Sequence, residues 1–271
     1  ASASIAEGET TVATYAATDA DDSASVTYSV SGGADSALFS VVSTSGALSF
    51  STAPDYDSGS ACAAGNSCVV ELTASDTVET DMITVTITLT EVNDQTPSYS
   101  SADTTPNVNE GDTAVESVTI TDTDTGDSNV CTLAGADSDS FSCSVDSTGY
   151  ILAFSSAPDY DSAGDADVDN DYVVTVTIYD GTNTGSTISY TVTVDDTNDQ
   201  APTYSGGDVT PSVAEGTTAV DSFTVVDTDS GDVNACSLGG ADAASFACSV
   251  SSDSISIAFS TAPDYETPGS V

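Results

Sequence analysis

Residues 83–97 read ITVTITLTEVNDQTP, and residues 188–202 read ISYTVTVDDTNDQAP. Ile83, Val85, Ile87 and Leu89 alternate with Thr84, Thr86 and Thr88, so an extended chain puts the apolar set on one face and the hydroxyls on the other. Period two predicts a half-buried β-strand. Each strand then runs into Asn-Asp-Gln-x-Pro, at Asn93 to Pro97 and at Asn198 to Pro202, and after each of these the same series of markers begins again. The chain is therefore a tandem repeat.

Working outward from these two stretches, four further markers recur in order. Glu-Gly stands at Glu7-Gly8, Glu110-Gly111 and Glu215-Gly216, so successive repeats are 103 and 105 residues apart. An Asp-x-Asp begins 12 residues after each Glu, at Asp19/Asp21, Asp122/Asp124 and Asp227/Asp229. Pro-Asp-Tyr-acid follows at Pro54 to Asp57, Pro158 to Asp161 and Pro263 to Glu266, and an Asp that closes an alternating strand stands at Asp76 and Asp180. The repeats run 1–97, 98–202 and 203–271, and the third lacks the last two markers and the strands that carry them. Alternating segments such as Tyr172 to Ile178, separated by Gly, Pro, Asp and Ser turns, give about seven short strands per complete repeat. No helix of useful length is predicted. The expected fold is all-β, seven-stranded antiparallel β-sandwiches arranged end to end.

Composition narrows the function classes. There are 44 Asp and Glu with no Lys, Arg or His, a formal net charge of -44 that internal ion pairs cannot offset. Counterions must come from outside. A phosphate backbone or an anionic membrane needs Lys and Arg, so nucleic-acid binding is excluded. No apolar run is long enough to span a membrane, and no basic segment leads an apolar one as in a signal peptide. Hydrophobic residues are 38% and aromatic residues 7% with no Trp, which suits several small cores.

The six cysteines fall into three local pairs, Cys62-Cys68, Cys131-Cys143 and Cys236-Cys248, which read as three disulfides and an oxidising compartment. The rival reading, a Zn site, lacks His and C-x-x-C spacing, and each pair lies in a different repeat. Cys131 and Cys143 align with Tyr28 and Val41 at inward-facing positions, so each bridge staples a small core; closing such a loop contributes about 3 kcal/mol.

The five markers together resemble the cadherin repeat over essentially the whole chain, and Ala17 to Asp22 is similar to that family's Asp-x-Asp motif. The resemblance implies an Ig-like Greek-key sandwich, an extracellular or cell-surface location, Ca²⁺ between successive repeats and adhesion or a structural role. Carried over position by position, the first-junction ligands are Glu7, Asp55, Asp57, Glu91, Asn93 and Asp94, joined by Asp122, Asp124 and Asp180 from repeat 2. The second junction uses Glu110, Asp159, Asp161, Asp196, Asn198 and Asp199 with Asp227 and Asp229. Asp19, Asp21 and Asp76 form a half-site that needs a repeat before this one, as Glu215, Asp264 and Glu266 need one after it. Where the family has Asp-Arg-Glu this chain has Asp-Tyr-Asp or Asp-Tyr-Glu, and Gln95 and Gln200 replace an Asn.

The residues lead to calcium by their own route. Residues two apart on an extended segment point the same way, so Asp-x-Asp presents two carboxylates together. Like charges about 4 Å apart cost roughly 1 kcal/mol in water and about 4 at an effective dielectric of 20, and a hard divalent cation reverses that sign. Ca²⁺ accepts six to eight oxygens in flexible geometry, whereas Mg²⁺ prefers a tighter octahedron. A single Asp-x-Asp reads as a solvated turn; the recurrence of the whole set does not. Asp165, Asp167, Asp169 and Asp171 start like an EF-hand loop but place Asn170 and Val176 at its key positions, which predicts a solvated loop.

Without His, Lys or Arg there is no conventional base for a Ser nucleophile, and carboxylates that recur at every junction are unlike a single glycosidase cleft. Outward Thr rows, Thr84 to Thr88 and Thr191 with Thr193, read as β-forming surface, with O-glycans as a further possibility. The expectation is a non-enzymatic, calcium-rigidified segment of a longer extracellular rod or filament. Its partners are neighbouring repeats or identical chains, assembling head to tail. The alternative is a surface module that recognises a glycan or another cadherin-like chain.

Overall fold

The computed structural model describes residues 1–20, 25–126, 128–231 and 233–267. Repeat 1 has seven strands: β1 (Ser2–Ala6), β2 (Thr11–Thr14), β3 (Thr27–Gly32), β4 (Phe39–Val41), β5 (Ala47–Phe50), β6 (Ser67–Ser75) and β7 (Thr80–Thr90). They form two sheets, ordered β1-β7-β6-β3 and β2-β5-β4. The predicted alternation holds on β7, where Val85, Ile87 and Leu89 are buried and Thr84 and Thr88 exposed.

Repeat 2 adds β8 (Ser98–Tyr99), β9 (Asn107–Asn109), β10 (Ala114–Thr121), β11 (Val130–Ala134), β12 (Phe141–Val145), β13 (Gly149–Phe154), β14 (Asp171–Tyr179) and β15 (Thr184–Asp195). Its sheets run β12-β13-β10-β8 and β11-β14-β15-β9. The first strand is split, so that β8 pairs with β10 in one sheet and β9 with β15 in the other. Pairing is antiparallel except where the first and last strands meet: β1 lies parallel to β7 and β9 to β15. A chain whose first and last strands run the same way enters at one end of the sandwich and leaves at the other.

The cores are small, as the composition predicts. Repeat 1 packs Leu48, Val70, Leu72, Val85 and Ile87 around Phe39 and Phe50, whose ring centroids are 4.3 Å apart. Repeat 2 stacks Phe141 on Phe154 at 4.6 Å and sets Tyr172 edge-on to both, at 6.1 and 5.0 Å. Such contacts add about 1 kcal/mol each beyond area burial.

Repeat 3, expected to lack its last strands, has a single sheet among the described residues. Its strands β16 (Thr203–Ser205), β17 (Ala219–Val226), β18 (Phe246–Ser251) and β19 (Ser254–Phe259) make one sheet, β16-β17-β19-β18, and no second sheet forms among the described residues. The reason is visible in repeat 2, where β9 and β11 pair only with the β14–β15 hairpin. The corresponding segments 212–214 and 235–239 have no such hairpin beside them and take no strand conformation. Phe246 stacks on Phe259 at 4.6 Å, as in repeat 2, but both rings stay half-buried because no second sheet closes over them among the described residues.

All three cysteine pairs are disulfides, with Cα–Cα separations of 5.0, 6.1 and 6.2 Å. Cys131-Cys143 ties β11 to β12 and so joins the two sheets of repeat 2. Cys62-Cys68 instead closes the loop that leads into β6.

Candidate metal centres at the repeat junctions

The Glu-Gly and Pro-Asp-Tyr-acid markers recur at fixed spacing because they grip each other. Gly8 N donates to Pro54 O at 3.0 Å, Gly111 N to Pro158 O at 3.0 Å and Gly216 N to Pro263 O at 2.9 Å. Each Gly holds a positive φ, +76°, +82° and +75°, which glycine adopts without the penalty a Cβ would bring. The neighbouring Glu completes the knot. Glu7 accepts Tyr56 N at 2.6 Å through one oxygen and Val92 N at 2.9 Å through the other. Glu110 accepts Tyr160 N at 2.8 Å and Thr197 N at 2.7 Å in the same way, and Glu215 accepts Tyr265 N at 3.0 Å. The knot brings the Pro-Asp-Tyr-acid loop and the end of the last strand to the lower tip of each complete repeat.

The upper tip of the next repeat supplies the facing carboxylates. Asp124 accepts Gln95 N of the linker at 2.9 Å, and Asp229 accepts Gln200 N at 2.9 Å. Glu91 takes hydrogen bonds from the Thr125 backbone and hydroxyl, and Asp196 takes one from Ser230 N. Across the second junction Thr228 also donates to Asp161 at 3.1 Å.

At the first junction the carboxylates close into three overlapping trios: Glu7-Asp57-Asp94, Asp57-Glu91-Asp124 and Asp122-Asp124-Asp180, each with one oxygen per residue lying within 4.8 Å of the others. Asp161-Asp199-Asp229 makes a comparable trio at the second. Asn93 sits in the first cluster, its Nδ2 donating to the Asp180 carbonyl at 3.3 Å. Asp55 and Asp159 each accept, through one oxygen, the N–H three residues on, at Ser58 and Ser162, and so fold their own loops. Asp227 keeps a buried oxygen without a hydrogen-bond donor, and Asn198 occupies the same linker position as Asn93.

The upper tip of repeat 1 carries Asp19 and Asp76, which line an open hollow with Glu79 and Asp81; Asp21 lies outside the described residues. At the opposite end Asp264 folds its loop by accepting Glu266 N and Thr267 N. The comb at Asp165 is not simply solvated as expected. Asp165 is buried and accepts Asp169 N and Asn170 N, so it organises the loop while Asp167 and Asp169 stay exposed.

Two kinds of buried carboxylate stand side by side in this fold. Asp35 accepts Ala63 N at 2.6 Å and Val69 N at 2.7 Å, and Asp137 accepts Ala166 N and Val173 N, each at 2.7 Å. Both oxygens of each are therefore satisfied by the chain itself. Both oxygens of Asp57 are buried with no donor, as is one oxygen each of Asp180 and Asp196. Burial, followed by the charges of Glu7, Asp124 and Asp94, pushes the Asp57 carboxyl up to about 6. Burial raises Asp161 too, with Asp196, Glu110 and Asp159 adding to it against the opposing Thr228 hydrogen bond. Burial also works against the Asp180 charge, but hydrogen bonds from Asn183 and Thr182 outweigh it and hold the carboxyl low. This all-oxygen donor set is of the kind that fits a hard, oxygen-seeking cation.

Sequence reasoning missed Asp35 and Asp137 although the signal is present: Gly-Ala-Asp recurs at Gly33, Gly135 and Gly240. It also missed Asn129, whose buried Oδ1 lacks a donor and which lines the hollow beside Asp122 and Asp124. In repeat 1 the corresponding position is Val26, so that signal was not shared by all repeats.

No protein-family model matches the sequence, and no curated protein does. Solved structures do match. Human CDH23 EC21-23 aligns with a TM-score of 0.62 at 19% identity, over 100% of this chain and 93% of that one. Mouse cadherin-23 EC22-24 gives 0.59 at 20% identity, over 98% and 86%. The protocadherin gammaB7 EC3-6 cis-dimer gives 0.58 at 24% identity over 98% of this chain. The chain spans less than two thirds of the gamma protocadherin structures it matches, 64% of gammaB7 and 43% of gammaB4. At these identities the likeness fixes the fold, a tandem array of cadherin-like β-sandwich repeats.

Proposed function

We propose that this chain is a segment of an extracellular rod whose repeats are held in line by Ca²⁺ bound between successive sandwiches. The observation that carries the reading is the contrast among buried carboxylates. Asp35 and Asp137, within the sandwiches, have every oxygen matched to an N–H, whereas Asp57, Asp180, Asp196 and Asp227 at the junctions keep buried oxygens that no donor reaches. Buried anions left this way are costly unless a cation joins them.

Glu7, Asp57, Glu91, Asn93 and Asp94 from the lower tip of repeat 1, with Asp122, Asp124 and Asp180 from repeat 2, would hold the ions of the first junction. Asp161, Asp196, Asp199, Asp227 and Asp229, with Glu110 and Asn198, would do so at the second. A bound divalent cation supplies positive charge, turning repulsion between facing tips into attraction. The protein's own contribution is to gather the ligands: Glu7 and Glu110 tie loop and strand end together, and Asp124 and Asp229 capture the linker N–H groups. Such a device stiffens and aligns; the carboxylates recur at each boundary rather than once in a cleft, which favours a structural or adhesive role over catalysis. The three disulfides favour an oxidising, extracellular setting. End-to-end continuation with identical chains fits the entry and exit of the chain at opposite tips.

Calcium titrated into chelator-treated protein tests this directly. The expected result is a narrower distance distribution in X-ray scattering together with a higher melting temperature. Scattering profiles that coincide with and without calcium would overturn it.

A further inference from the structure

The turn between β14 and β15 carries a side chain that the ligand set leaves unused. Asp180 Oδ1 accepts the N–H groups of Thr182 at 2.7 Å and Asn183 at 2.6 Å, and the resulting Asx turn aims Asn183 at the linker below repeat 1. There Asn183 Nδ2 donates to Asn93 Oδ1 at 2.8 Å and to the Gln95 carbonyl at 2.8 Å. Asn93 Nδ2 returns a bond to the Asp180 carbonyl at 3.3 Å. Three uncharged hydrogen bonds thus join repeat 2 to the linker.

The choice of an amide follows from the composition. In a chain without Lys, Arg, His or Trp, the only side-chain N–H donors are Asn and Gln. A hydroxyl has one hydrogen to give, so a side chain that donates to two acceptors here must be an amide, and it does so without altering the charge balance of the cluster. The same turn in repeat 1 is built on Asp76, which accepts Val78 N and Glu79 N, but the position of Asn183 is occupied by Glu79, which has no hydrogen to give.

We propose that Asn183 is a positioning residue of the first junction: it fixes the Asn93 amide and the register of the linker, so that the carboxylates of repeats 1 and 2 already face one another before an ion arrives. For its affinity measurement, though not for its chelator measurement, this rests on the calcium reading above.

The test compares the full chain with Asn183→Ala and Asn183→Leu, the second keeping bulk and neutrality while losing the donor. In chelator at about 0.15 M salt, where charges are screened over roughly 8 Å, both variants should show a broader angle distribution between repeats 1 and 2 than the parent. In calcium, the titration midpoint read on the Asn93 side-chain amide resonances should move up about tenfold, with the near-ultraviolet spectrum of repeat 2 unchanged. Asn93→Ala in chelator should loosen the junction as Asn183→Ala does, and the double variant by less than the sum of the two, because the Asn183–Asn93 bond is shared. Chelator profiles of parent and variants that coincide would overturn the proposal whatever calcium does, and so would additive loosening in the double variant. If no form bound calcium, the ion reading would fail, while the chelator comparison would still support or overturn the role of Asn183.

Discussion

Asp57 of repeat 1 and Asp124 of repeat 2 meet carboxylate to carboxylate across the first junction, each raising the cost of charging the other, in a chain that has no cationic side chain to place between them. The effect of removing one of these charges therefore depends on what lies between them.

Asp57→Asn is expected to change sign with conditions. In chelator it relieves repulsion and should raise the melting temperature or tighten the junction; with saturating calcium it deletes a ligand and should weaken ion binding at least tenfold. Calorimetry in both buffers reads this, and a loss of stability in both would count against the charge-cluster account.

The response to pH follows from the same residue. The folded, ion-free value of Asp57 is about 6, raised by burial and then by Glu7, Asp124 and Asp94, and so lies above that of an unfolded Asp. The folded state then binds the proton more tightly, so stability in chelator should rise as pH falls through 6 and level off near ~4. With calcium the trend should reverse, because protons compete for the same oxygens. Melting curves between pH 7 and 5 that fall in chelator would contradict the sign.

Asp137→Ala should behave unlike any junction variant. It strips the acceptor from Ala166 N and Val173 N inside repeat 2, at a cost of about 2–4 kcal/mol that calcium does not restore. Equal rescue by calcium would mean that Asp137 belongs to the ion sites after all.

Replacing Asp122 and Asp124 together with Asn should abolish the tightest calcium step at the first junction. The same exchange at Asp167 and Asp169, exposed in the Asp165 loop, should leave it in place. Similar losses in isothermal titration would remove the basis for assigning the junction.

Hydrogen exchange should rank the repeats. Amides of β18 and β19 sit on a single sheet whose inner face is half-open, so they should exchange faster than those of β12 and β13, their counterparts under a closed core. Comparable protection in the two repeats would be inconsistent with the open sheet.

Much of this was legible in the sequence because repetition separates signal from accident. Alternation on Ile83 to Leu89 indicated the strand and its buried face, and Glu7, Asp57 and Asp94, which the family resemblance marked, do converge. Two things were harder to read. Asp55 and Asp159, carried over as ligands, also close local turns, a part set by the N–H three residues ahead that position alone did not reveal. Asn183 stood outside every shared marker because repeat 1 has Glu79 there, so periodicity hid the residue that makes the first junction particular.

The parallel pairing of β1 with β7 has a mechanical consequence. Tension applied at the two tips of repeat 1 pulls these strands past each other lengthwise. The ladder from Ser2-Thr86 to Ala6-Thr90 is then loaded all at once, instead of parting one rung at a time as a hairpin would. Repeat 2 opposes the same pull in the same geometry, through the pairs Asn107-Thr193 to Asn109-Asp195 and the bonds from Thr191 N and Thr193 N to the Thr104 and Pro106 carbonyls.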